Sequence, residues 1–150
     1  MRETVGSRDG ALTTEELESV WQLEGLTAVA SLEGVGCLRS LTALEATDGS
    51  ISDLEPLEGL TSLTFVDVSR NQISSLAPLA QHPALDMLVA TENQITSLSD
   101  FSLPSAGCDY LLDLRGNSLT ALDVRPFCDA WWIVKWGVAQ PYEQCNGWCL

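Results

Sequence analysis

A repeat with a period of 22 residues constrains this chain more than any other feature of its sequence. The clearest copies are Leu63–Ile73 (LTFVDVSRNQI) and Leu85–Ile95 (LDMLVATENQI), and the same step backwards gives Leu41–Ile51 (LTALEATDGSI). A fourth copy, Asp109–Leu119 (DYLLDLRGNSL), follows after a step of 24 residues. A unit this short cannot bury an apolar face alone, so its copies stack on one another as a solenoid.

The pattern shared by the copies, LxxLxLxxNxI, predicts one short strand in each repeat. In its LxL part, alternation directs two leucines inward and the residue between them outward, and the stacked strands form a parallel sheet. Between the copies, apolar residues recur at every third position, as at Leu54, Leu57 and Leu60, which fits neither a helix nor a long strand. The rest of each coil is short and interrupted by proline, which predicts 3-10 or extended turns.

Asparagine occupies the same place in three of the copies. Asn71, Asn93 and Asn117 follow the strands where the chain has to turn. A buried amide at that point satisfies backbone groups of its own coil and of the neighbouring coil. The sequence therefore predicts a structural ladder of asparagines, which Gly49 interrupts in the first copy.

With the period, the apolar ladder and the asparagine column coinciding, the chain resembles bacterial leucine-rich repeat proteins of the short, internalin-like type over roughly residues 13–136. The resemblance implies an α/β fold, a right-handed superhelix of about five to six coils. Its parallel β-sheet lies on the concave face, and 3-10 or irregular turns lie on the convex side. The two extra residues within Ser102–Tyr110 predict a bulge on that convex side.

We expect a single domain from residue 13 to residue 150, preceded by a flexible tail at 1–12. It divides into an N-terminal cap helix with a degenerate first repeat (13–40), regular repeats (41–126) and a cap rich in cysteine and tryptophan (127–150). A capping box at Thr13 and Glu16 predicts a short helix, Thr14–Ser19, over the N-terminal end. The first strand is expected at Val20–Leu23 and the last at about Ile133–Trp136, followed by an irregular cap.

The composition excludes several classes of function. Acidic residues number 21 against 7 basic ones, and the formal charge of −14 would repel nucleic acids and anionic membranes. No apolar stretch is long enough to span a membrane, so membrane insertion is not expected. Five cysteines indicate an oxidising compartment, so we expect an extracellular or cell-surface protein whose signal peptide has been removed, with a cytoplasmic protein as the alternative.

The sequence offers little for catalysis, so we expect neither an enzyme nor a cofactor. His82 is the only histidine, no acid or base partner can be assigned to it, and its repeat position matches Leu38 and Leu60, which predicts a partly buried structural role. The spacing of Cys145 and Cys149 is compatible with zinc, but a second pair of ligands is missing, so no metal site is expected.

Disulfides explain the cysteines better than a metal does. The candidates are Cys108, Cys128, Cys145 and Cys149, which allow three pairings. A Cys108–Cys128 bridge would join the convex sides of adjacent coils, although a bridge from Cys128 to the tail is also reasonable. Cys37 is then the odd thiol, and its ladder neighbours predict a small buried side chain.

Three outward columns of the sheet follow from the register. The middle column is mostly acidic. Its one apolar member, Val89, forms an apolar patch on adjacent strands with Phe65, Met87 and Leu111 of the neighbouring column, which is typical of protein-binding surfaces. Such a patch with an acidic rim predicts a partner of basic and apolar character. The candidate binding residues are Glu24, Glu45, Phe65, Asp67, Ser69, Met87, Val89, Thr91, Leu111, Asp113, Arg115 and Lys135.

The resemblance implies a non-enzymatic module, expected to be monomeric, that binds a protein partner through its concave face. One alternative is a passive spacer within a larger protein of the cell envelope. The other is glycan binding by the aromatic C-terminal region, with Trp131, Trp132 and Tyr142 stacking on sugar rings.

Overall fold

A computed structural model describes residues 13–80, 82–102 and 111–120, together with the backbone at 133–135 and 144–145. In this part of the chain, a short helix, seven strands and three 3-10 turns follow one another. These are α1 (Thr14–Glu18), β1 (Gln22–Thr27), η1 (Val35–Cys37), β2 (Ala43–Thr47), η2 (Glu55–Leu57), β3 (Phe65–Asp67), η3 (Ala77–Leu79), β4 (Met87–Val89), β5 (Leu111–Asp113), β6 (Ile133–Lys135) and β7 (Gln144–Cys145).

The strands form one sheet in chain order, from β1 to β7. Strands β1 to β6 run parallel, and β7 pairs with β6 in the antiparallel sense. Each of the parallel strands therefore begins a new coil stacked on the previous one. This is the leucine-rich repeat solenoid that the sequence predicts.

The two leucine-type positions of LxL form continuous rows inside the solenoid. Leu44, Val66, Leu88 and Leu112 are each fully buried, and the sheet register places them side by side. Burying such a side chain contributes about 1.5–3 kcal/mol, and every coil repeats that contribution. The sheet is held to the turns opposite by this shared core.

The apolar residues at every third position complete the core on the sides that the sheet does not cover. They lie at successive bends of a coil, so a step of three brings each one back toward the interior. In the second coil they are all at most 2% exposed: Ile51, Leu54, Leu57, Leu60 and Leu63.

A column of short polar side chains on the convex side, which the sequence-based predictions did not include, makes local hydrogen bonds to the backbone. Ser31, Asp53, Ser75 and Ser97 each accept a hydrogen bond, at 2.8 to 3.2 Å, from the backbone N–H two residues further on. These positions are 22 residues apart, so the repeat itself carries the signal. Short polar side chains make this local bond readily.

Of the two burial predictions made for side chains near the turns, one is confirmed and the other is wrong. His82 is 4% exposed, and its Nε2 donates a hydrogen bond of 3.1 Å to the carbonyl oxygen of Leu57 on the previous coil, so its structural role is confirmed. The expectation of a buried Cys37 is wrong, because this free thiol is exposed on η1. The inward positions there are Val35 and Leu38, so a residue between them points outward.

The predicted capping box and short helix are confirmed, although the helix ends at Glu18 and not at Ser19, and the first strand differs from the prediction. In the capping box, the Thr13 hydroxyl accepts from the backbone N–H of Glu16, and the Glu16 carboxylate accepts from the backbone N–H of Thr13. Leu17 packs against the core. The first strand is Gln22–Thr27 instead of Val20–Leu23. Gly25 adopts a positive φ of 68° and introduces a bulge, so the strand continues beyond the point where the repeat pattern breaks.

The C-terminal part agrees with the prediction in one respect. The last parallel strand, Ile133–Lys135, is confirmed, but the predicted irregular cap contains the two-residue strand β7. The expected tail at 1–12, the bulge on the convex side, and the side chains of the cap lie outside the described residues. The same holds for Cys108, Cys128 and Cys149, and of Cys145 only the backbone is described.

The asparagine amides join each coil to the coil before it. Asn93 Oδ1 accepts from the backbone N–H of Ile73, and its Nδ2 donates to the carbonyl oxygens of Val68 and Thr91. Asn71 and Asn117 make equivalent bonds, each to its own coil and to the coil before it.

Gly49 stands in the asparagine position of the first copy because the space for a side chain is already occupied. A Cβ there would lie 2.2 Å from the carbonyl oxygen of Val29 and 2.8 Å from Oδ1 of Asn71. The Val29 oxygen accepts directly from the backbone N–H of Ser50. The later coils make the same backbone hydrogen bond beside their asparagines, so the bond from Ser50 does not replace those of an amide.

We therefore expect Gly49→Asn to destabilise the protein even though it restores the repeat pattern. The new side chain overlaps backbone of the first coil, and overpacking of this kind costs about 1–3 kcal/mol. Urea unfolding followed by circular dichroism measures the loss, with the exposed neighbour Ser50→Asn as the control. A higher unfolding midpoint for Gly49→Asn would contradict this account.

Candidate binding face of the sheet

The candidate site lies on the open face of the sheet, which we define as the face turned away from the leucine core. The register joins Ala43, Phe65, Met87 and Leu111 in one column across β2 to β5. Successive members of a column lie on adjacent strands, which are about 4.8 Å apart in a sheet. A second column runs parallel to the first. Its members are Glu45, Asp67, Val89, Asp113 and Lys135. The columns have the register that the repeat predicts.

Glu24 does not fit the second column in the same way. The pairing passes from Leu23 opposite Leu44 to Leu26 opposite Ala46, with a register shift between them. Glu24 and Gly25 therefore share the position opposite Glu45. Glu24 is exposed, and its carboxylate accepts a hydrogen bond from the side-chain amide of Gln22.

The apolar patch, Phe65, Met87, Val89 and Leu111, is accessible on the open face. Met87 is 37% exposed, and the other three side chains are half-buried. The leucine rows on the opposite side of the same strands are fully buried. The patch is therefore apolar surface that the core does not require.

The carboxylate of Asp67 is partly used in a hydrogen bond to the backbone. One of its carboxylate oxygens accepts a hydrogen bond of 2.9 Å from the backbone N–H of Ser69, and the residue is half-buried. Glu45 is also half-buried. The acidic side chains that reach solvent from this face are therefore carried by β1, β2 and β3.

The placement of Asp113 on the accessible surface is wrong, because the residue is only 4% exposed. Its two oxygens accept hydrogen bonds of 2.8 and 2.7 Å from the guanidinium of Arg115. The same hydrogen bonds raise the pKa of Arg115. The carboxylate folds along the end of its own strand, and Arg115, which is exposed, covers it and cancels its charge.

Ser69 is a second residue that the sequence places on the face and the structure buries. It is 3% exposed, and its Oγ has no hydrogen-bond partner. The next residue, Arg70, turns the chain with a φ of 55°, so Ser69 lies in the corner where the strand ends. Thr47, at the equivalent position of β2, is 7% exposed, whereas Thr91 on the following coil is half-buried.

A charged row at this corner was missed by the sequence-based predictions. Asp48, Arg70 and Glu92 stand 22 residues apart, and all three have φ near 55°. Arg70 forms a bidentate ion pair with Asp48 that includes a contact of 2.6 Å from Nη2 to Oδ2, and this hydrogen bonding lowers the pKa of Asp48. The side chains are about half-exposed, so the pair adds little stability. The spacing of 22 residues between these three charged residues is the sequence signal that could have indicated the row.

Several predicted residues fall outside this description. Lys135 is known only from its backbone in β6, and the aromatic candidates Trp131, Trp132 and Tyr142 lie outside the described residues. Within the described ranges, no cluster of three or more histidine, cysteine or acidic residues has the geometry of a metal site. No helix in that part of the chain is long and apolar enough to cross a membrane.

The solenoid has a counterpart among solved structures. The chain aligns with an internalin, InlF, of Listeria monocytogenes at a TM-score of 0.63 and 22% identity, covering 87% of this chain and 46% of that one. Internalin C2 of the same species aligns at 20% identity over 83% of this chain and 84% of its own, but its TM-score of 0.44 is too low to support an inference. No family model and no curated protein matches the chain.

The similarity to InlF establishes the class of fold, a leucine-rich repeat solenoid of the internalin type. It confirms the resemblance seen in the repeats. This chain spans about half the length of that internalin.

The two faces of one strand provide a direct test of this arrangement. Met87 and Leu88 are adjacent, yet the first is 37% exposed and the second is fully buried. We expect Leu88→Ala to lower the free energy of unfolding by about 2–5 kcal/mol, because it leaves a cavity. Met87→Ala should cost less than about 1 kcal/mol. Similar losses for both variants in urea unfolding would contradict the assignment of the open face.

Proposed function

We propose that this protein is a non-enzymatic protein-interaction module that binds its partner through the open face of the sheet. The observation that carries the proposal is the apolar patch on three adjacent strands. A solvent-facing apolar cluster on a sheet whose other face is a complete core marks a binding surface. The internalin-type fold of InlF supports the same assignment.

The patch also has the mechanical support that a binding surface requires. Its strands are fixed in register, and the asparagine amides join the coils behind them. A partner would therefore meet side chains that are already positioned, which reduces the entropy lost on binding. Methionine and aromatic residues such as Met87 and Phe65 are enriched at the centres of interfaces.

We further propose that the chain acts as a monomeric module of an extracellular or cell-surface protein. The cysteine content supports an oxidising compartment. Disulfides among Cys108, Cys128, Cys145 and Cys149 belong to the same proposal.

Selection of peptide binders from a phage-displayed library on the immobilised protein tests the binding face. We expect selected peptides to lose at least about tenfold in affinity on the double variant Phe65→Ala and Met87→Ala, as for interface hot spots. The control is a double variant at exposed positions outside the strands, Thr61→Ala and Thr96→Ala. Binders that ignore the patch variant would reject this face, and a failure to select any binder would favour the spacer function.

A further inference from the structure

The open face is divided into an acidic part and an apolar part that lie on different strands. The acidic part lies on β1, β2 and β3 and consists of Glu24, Glu45 and Asp67. On β1 and β2 the first column has no large apolar side chain, since its members there are Gln22 and Ala43. From β3 onward the first column is apolar and the second continues with Val89. The two parts meet at β3, which carries both Phe65 and Asp67.

The acidic part ends at β3 for a reason that the sequence does not show. The second column has one further acid, Asp113, but the structure buries it beneath Arg115 and their charges cancel. A cation that approaches β5 therefore meets a guanidinium at the surface. The same cation over β1 and β2 meets Glu24, which is exposed, and Glu45, which is half-buried.

We infer that the partner docks with a fixed polarity, as a protein segment that carries lysine or arginine at one end and apolar side chains at the other. This inference rests on the proposed function. The cationic end lies over β1 to β3, and the apolar end lies over Phe65, Met87 and Leu111. The distance from β1 to β5 is about 19 Å at the usual strand spacing, which a helix of about 13 residues spans.

The charges and the patch have different effects on binding. Partly exposed carboxylates at the rim of a site accelerate association and orient the approaching partner, so they act on the affinity mainly through the association rate. The apolar side chains at the centre slow dissociation. A neutral partner could use the patch, but it would lack the orientation that the acidic strands impose.

A synthetic block peptide with four lysines at one end and four leucine or phenylalanine residues at the other tests this polarity. Its affinity should fall about fivefold on Glu45→Gln and should not change on the control Glu58→Gln. Both variants remove one carboxylate, but Glu58 is an exposed residue at the end of η2. Added salt should slow association with the wild type more than with Glu45→Gln.

A photo-crosslinking group placed at either end of the peptide reports the orientation. We expect the lysine end to crosslink to β1 or β2, and the apolar end to β4 or β5. Equal losses for Glu45→Gln and Glu58→Gln, or crosslinks in the reverse order, would overturn the polarity. Peptides that require Phe65 and Met87 but ignore Glu45 would overturn it too and leave the proposed function standing.

A second observation concerns the free edge of the sheet at β1. In the described part of the chain, β1 pairs with β2 on one side only. Its segment Leu23–Leu26 aligns with Leu44–Ala46 of β2, with Leu26 opposite Ala46 and one extra residue, Gly25, between the paired positions. Gly25 has a φ of 68°, and a Cβ built on it meets nothing within 4 Å. Close packing therefore does not explain the insertion.

We propose that the Gly25 bulge protects this edge from pairing with a second copy of the chain. A straight edge strand offers a regular row of backbone donors and acceptors, and a bulge breaks that row and twists the strand away. Without the insertion, β1 would present a regular edge beside Trp21, which is 62% exposed. Two such edges can pair antiparallel about a two-fold axis.

Deletion of Gly25 tests this proposal by sedimentation velocity over a range of concentrations. We expect the wild type and Gly25→Ala, which keep the inserted residue, to stay monomeric, and the deletion variant to form dimers. If the deletion variant does not fold, residues 22–29 are replaced by ALEATDG, the segment 43–49 that contains β2. A monomeric variant with a straightened strand, or a wild type that already dimerises equally, would overturn the proposal.

Discussion

The hydrogen bonds of the asparagine amides are the interaction on which the solenoid depends. Each strand of the regular repeats has only three to five residues, too few to hold a sheet by pairing alone. The amides of Asn71, Asn93 and Asn117 satisfy backbone groups at the turns that follow the strands. Buried backbone groups left unpaired at each turn would oppose the stacking that buries the leucines.

The register of the open face could be predicted because it depends only on the period. Once the inward positions of each strand are assigned, as at Val66 and Leu88, the residues beside them follow, and Phe65 and Met87 fall in one column. The core follows for the same reason, since its leucines recur at fixed intervals. Patterns of this kind are the most secure part of a sequence interpretation.

The errors arise where one side chain or one residue departs from the period. Asp113 is buried and paired with Arg115, two residues away, and periodicity does not describe side-chain conformation. Ser69 is enclosed by a corner of the backbone that the pattern does not specify. The first strand was misplaced because a single glycine shifts its register. These departures decide which charges remain accessible, so the site was less predictable than the fold.

The direction of the asparagine bonds has a consequence for how such a chain can change length. Every amide reaches back to the preceding coil, and the ladder starts after Gly49, where the backbone of Val29 leaves no room for a side chain. A duplicated unit of 22 residues inserted after β2 brings its own amide and finds its acceptors in the coil before it. Evolution can therefore lengthen or shorten the binding surface by whole coils, while the beginning of the solenoid stays the same.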